Sequence, residues 1–148
     1  MGRRNNLRQL AHAGRIDEAL ALLRRREKAR ALSASELVSK GMLLQVARDE
    51  HDLGEARSAL EEALKLDDEY LPALLELAFF YHMVDDDSAR ALPLFEKANE
   101  ISLASLAEAL EGTARCLEEL ESPEAAERFL ARAKEGIDVE AIRRKIDS

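Results

Sequence analysis

At 148 residues, 47% of them apolar, 35% charged and only 4% aromatic, the chain is long enough to bury a core of its own and too apolar to stay disordered. A single cysteine, Cys116, excludes an internal disulfide frame, and a net charge of −8 argues against a protein that coats nucleic acid. No apolar run approaches the ~20 residues needed to cross a bilayer, so no membrane insertion is expected. No export segment follows Met1-Gly2-Arg3-Arg4, and the expected location is cytoplasmic. The charge is unevenly placed: residues 1–35 hold nine basic and three acidic side chains, leaving a net charge of −14 for the rest. Such a polarity can steer an oppositely charged partner to one end.

Taken in order, the apolar spacing predicts helices over 3–12 and 17–30, with Gly14 making the turn between them. Arg26 falls where a small residue would touch the next pair of helices, which implies a loosely docked end. Ser33-Ala34-Ser35-Glu36 reads as a capping box, so a new helix begins there and is expected to run to about residue 50. Asp52-Leu53-Gly54 is expected to turn the chain into a partner helix ending near residue 66. Pro72 suits the first turn of the next helix, where its missing amide would be unpaired anyway. Leu74, Leu77, Ala78 and Tyr81, then Ala91, Phe95 and Ala98, place an apolar stripe on each of two helices joined by the Asp85-Asp86-Asp87 turn. Pro93, in the second of these, is expected to tilt or kink it. A link around Ser102 leads to a helix over 103–120. Ser122 caps the next helix, with Pro123 as its first residue and Gly136 at its end. A last helix over 139–146 would cover the final pair with Val139, Ile142 and Ile146. That makes nine helices and no strand.

The pair over 71–101 has copies on both sides. Ala19, Ala56, Ala91 and Ala126 lie 37, 35 and 35 residues apart, and each is followed four residues later by Leu23, Leu60, Phe95 or Leu130. The close-approach position of the first helices falls on Leu7, Leu44, Ala78 and Ala114. The run Leu74-x2-Leu77-Ala78-x2-Tyr81, then Ala91-x3-Phe95, resembles the tetratricopeptide repeat (TPR), W-x2-L-G-x2-Y, then A-x3-F, then P. Leu74 stands in for the Trp and Ala78 for the Gly, and no Pro closes the unit. The resemblance implies an all-α, right-handed α-solenoid of four TPR-like helix hairpins over residues 1–33, 34–70, 71–105 and 106–137. A capping helix over 138–148 would close it, all within a single domain.

In that family the first helices of each pair line a concave groove. By register, the resemblance implies groove positions at Arg4 and Arg8; at Gly41, Met42 and Gln45; at Leu75, Phe79, His82 and Met83; and at Glu111 and Arg115. Such a groove is basic at one end, apolar in the middle and acidic at the other, which suits an extended peptide or an amphipathic helix of a partner protein. Leu75, Phe79 and Met83 form a second apolar stripe on a helix whose packing face is already supplied, and Met42 would lie beside it. The expected function is a non-enzymatic binding scaffold. A self-associating homodimer and a small secretion-type chaperone are the alternatives. Arg4 and Arg8 could begin the carboxylate clamp some members carry, but Met42, Glu76, Glu108 and Gly112 supply none of the rest. His12, His51 and His82 belong to different pairs, and Asp85 to Asp87 lack the glycine and distal glutamate of a calcium loop. Cys116 is expected to be an inert packing residue, and no glycine-rich phosphate loop occurs. Hence no catalytic residue, metal or cofactor is expected, and the mixed groove charge argues against nucleic acid.

Overall fold

Seven helices account for the regular structure in the computed structural model, which describes residues 6–47 and 50–136. They are α1 Leu7–His12, α2 Ile16–Ala29, α3 Ala34–Ala47, α4 Glu50–Leu66, α5 Leu71–Met83, α6 Ser88–Leu120 and α7 Pro123–Glu135. Among the described residues there is no strand. The chain divides into two compact units, Met1–Ile101 and Ser102–Ser148, and the division falls inside α6.

The helix ends follow local chemistry. Gly14 takes a left-handed φ of 69°, and behind it the amides of Gly14 and Arg15 donate to the carbonyls of Ala11 and Leu10 at 3.1 and 3.0 Å. That pair of bonds satisfies the last carbonyls of α1. At the start of α3, Ser33 N–H donates to Glu36 Oε2 at 3.1 Å and Glu36 N–H to Ser33 Oγ at 3.3 Å, which is the expected reciprocal cap. Asp87 Oδ1 accepts from Arg90 N–H at 3.0 Å to open α6, and Ser122 Oγ accepts from Ala125 N–H at 3.2 Å to open α7.

Within the first unit each helix packs on its successor from α1 to α5, and α3 also meets α5. Leu23, Leu37, Leu44, Leu60, Leu74 and Phe80 are the largest side chains removed from water. Ala19, Ala56, Ala91 and Ala126, which set the period in sequence, are all buried, as are Leu7, Leu44, Ala78 and Ala114. Small residues at the crossings let helix backbones approach closely. Among the described glycines the least room is at Gly41: a β-carbon built there would lie 2.8 Å from Leu60 Cγ and 3.2 Å from the Ala56 carbonyl oxygen. Gly41 therefore belongs to the α3–α4 crossing and not to a groove.

Several expectations are corrected. Asp52, Leu53 and Gly54 are helical, since α4 already begins at Glu50; a glycine inside a helix costs about 1 kcal/mol relative to alanine but does not break it. No link interrupts the chain at Ser102, because the surrounding Leu and Ala residues favour helix and neither Gly nor Pro is present to end it. The helices expected over 88–101 and 103–120 are thus one, and the hairpin boundary near 105 has no backbone counterpart. Pro93 lies inside α6, where the sequence placed it. Arg26 does not loosen its end of the chain: its Nη1 lies 2.7 Å from Glu36 Oε1 and ties α2 to α3. Cys116 is exposed rather than packed. The helix expected over 139–146 lies outside the described residues.

Candidate functional site

α1 is only six residues long, too short to cover the whole flank of α3, and a cleft of about 650 Å³ opens between them. Its walls carry Leu7 and Ala11 from α1, Ile16 from the start of α2, and Met42, Leu43 and Val46 from α3. Met42 is 46% and Val46 61% exposed, so the α3 wall offers apolar surface to water. Arg8, His12, Arg26 and Glu36 supply the charge around it, with Ser35 and Ser39 as neutral polar groups. Arg8 forms no ion pair among the described residues.

The charges beside the cleft fix α3 in place. The Glu36 carboxylate accepts from Arg26 Nη1 at 2.7 Å and from Arg30 Nη1 and Nη2 at 2.8 and 2.7 Å. The Arg30 hydrogen bonds, helped by the Ser33 amide and Arg26, overcome the opposing effect of burial and hold the Glu36 carboxyl down at about 2. One turn on, Lys40 is buried, with Nζ 2.8 Å from Glu55 and 3.1 Å from Glu27. Burial alone would depress its ammonium, but hydrogen bonds to Glu55 and then Glu27 outweigh burial and leave its pKa raised. α3 is thereby bonded to α2 through Glu36 at the cleft and to both α2 and α4 through Lys40.

Of the groove positions implied by register, the structure brings Arg8 and Met42 together in this cleft. The others do not join them. Gln45 is half-buried and donates to the Gly41 carbonyl of its own helix at 3.4 Å. Leu75 is half-buried, and Phe79 pairs edge-to-face with Phe95 of α6, with centroids 5.0 Å apart and planes at 79°. His82 shares a hydrogen bond with Ser88 Oγ at 3.1 Å, and Met83 is 75% exposed at the end of α5. Glu111 and Arg115 lie in the second unit and pair with each other at 2.6 Å. Arg4 lies outside the described residues. Val46 was missed by register although it follows Met42 by four residues and so shares its face, a spacing that could have found it.

Tyr81 closes the other end of the first unit. Its hydroxyl donates to Glu61 Oε1 at 2.7 Å and accepts from Arg90 Nη2 at 2.6 Å, and the Arg90 guanidinium lies 3.9 Å from the ring centroid. Burial, with the Glu61 carboxylate adding to it, pushes the phenol up to about 12, so it remains a hydrogen-bond donor rather than a base. Among the described residues no three His, Cys, Asp or Glu side chains converge in a way that could hold a metal ion. No described helix is long and apolar enough to cross a membrane. No family model, curated protein or solved structure matches the chain.

Proposed function

We propose that the chain is a non-enzymatic protein-interaction module built from stacked helix hairpins of the tetratricopeptide kind, which holds an amphipathic segment of a partner in the α1–α3 cleft. The stacking reading is supported by the common burial of Ala19, Ala56, Ala91 and Ala126 and by the contact of α3 with α5, one hairpin's first helix against the next. The binding reading is carried by one observation: Met42 and Val46 are about half exposed on an α3 that is otherwise clamped to its neighbours. A rigid apolar wall beside Arg8, which has no ion-pair partner among the described residues, suits a helix with an apolar face and acidic flanks. A reducing, cytoplasmic setting fits a chain with one cysteine.

The test is selection from a displayed peptide library on the full chain. The expected result is enrichment of acidic amphipathic sequences, lost when Met42 and Val46 are both changed to Asp. Failure to enrich any sequence, or enrichment that survives the double substitution, would overturn the reading.

A further inference from the structure

We propose that the occupant of the α1–α3 cleft is a second copy of this chain, which inserts the face of α6 that carries Leu103 and Leu106. The inference rests on the cleft being a peptide site and names what fills it. Leu103 is 62% and Leu106 45% exposed, and three residues apart they share one helical face. Every residue from 102 to 109 is exposed, so this stretch of α6 is an amphipathic helix with its apolar side in water.

Charge argues for the pairing. Residues 102–121 hold five glutamates against one basic residue, Arg115, and Arg115 is already taken by Glu111 at 2.6 Å. The cleft has the opposite excess: among the described residues Arg8 and Arg26 line it against the one carboxylate of Glu36, which Arg30 beside the cleft also shares, and Arg8 has no carboxylate partner among them. Acidic helix and basic rim thus attract, whereas cleft against cleft or face against face would set like charges together. The cleft volume of about 650 Å³ is within the range of sites that enclose a small ligand and accommodates two leucine side chains. Because cleft and inserted face are different surfaces, each copy carries one of each. Association is therefore head to tail, closing into a ring or continuing as a chain.

Complementation between two defective chains tests this directly. One full-length variant carries Met42→Asp and Val46→Asp, the other Leu103→Ser and Leu106→Ser; all four residues are exposed, and matched circular dichroism checks that both chains fold. By sedimentation equilibrium the native chain is expected to gain mass with concentration, and each variant to remain a monomer. An equimolar mixture of the two variants is expected to form a 1:1 dimer and stop there, since only one intact cleft and one intact face remain. Arg8→Glu should weaken native association by about tenfold or more, and added salt should weaken it further. Should a double variant lose helicity, Val46→Asp and Leu103→Asp singly serve the same mixing test. A native chain that stays monomeric at every concentration would overturn the proposal. So would a pair of variants that fail to complement. Peptide selection that succeeds while the native chain stays monomeric would sink this inference alone and leave the binding function standing.

Discussion

The left-handed backbone at Gly14 forbids a β-carbon on energetic rather than spatial grounds, since nothing lies within 4 Å of where it would sit. Gly14→Ala is expected to lower stability by about 1–2 kcal/mol, the cost of holding an L residue in that conformation. Gly54 is the reverse case: it is helical and exposed with open space around it, so Gly54→Ala should raise stability by about 0.5–1 kcal/mol. Urea titrations of the two variants beside the native chain read both signs, and a loss at Gly54 would contradict its helical placement. Glu36 sets a pH dependence. Its folded pKa of about 2 lies below the ordinary 4.5, so its contribution is fully present above 4.5 and is lost as pH falls toward 2. Arg26 and Arg30 are 34% and 53% exposed, which screens the pair and reduces the contribution to about 2 kcal/mol. Glu36→Gln should therefore unfold more easily than the native chain at neutral pH, with the gap closing between pH 4.5 and 2. A gap that persists unchanged at pH 2 would assign the effect to packing instead.

At the level of helices, the tightest joint is the crossing of α3 and α4. Leu60 is wholly buried, so it cannot swing away from a new side chain at Gly41, and the Ala56 carbonyl is backbone. Gly41→Val is expected to destabilise by about 1–3 kcal/mol through overpacking, with only a small gain in helix propensity to offset it because valine is β-branched. Thermal unfolding measures it; a neutral result would mean that α3 and α4 can separate at no cost. Most helices were legible from their caps: Gly14, Ser33 with Glu36, Pro72, and Ser122 with Pro123 all act as their local chemistry dictates. The failures share one cause. Gly54 and Ser102 were read as breaks from repeat spacing, whereas helix continuation is decided by the leucines, alanines and glutamates around them. The cleft was half legible. Arg8 and Met42 follow from register, but the Arg26–Glu36 pair and the burial of Lys40 between Glu27 and Glu55 depend on side chains brought together by helix packing, which no local spacing encodes.

Across the whole chain the two units are unequally built. In the first, leucines, Phe80 and Tyr81 are buried, and each apolar side chain of that size contributes about 1.5–3 kcal/mol when fully removed from water. In the second, the buried apolar residues among those described are Ala114, Ala125 and Ala126, whose methyl groups contribute about 0.8 kcal/mol apiece. Hydrogen bonds of α7 and of α6 beyond Ser102 should therefore open at lower free energy than those of α3 and α4. Hydrogen exchange followed by mass spectrometry is expected to show slow amides across α3 and α4, and a fall in protection along α6 on passing residue 101. Uniform protection along the whole of α6 would instead make the two units one cooperative body. The same measurement bears on assembly. If a second copy covers Leu103 and Leu106, protection over residues 102–110 rises with protein concentration in the native chain and does not rise when Met42 and Val46 are both aspartate.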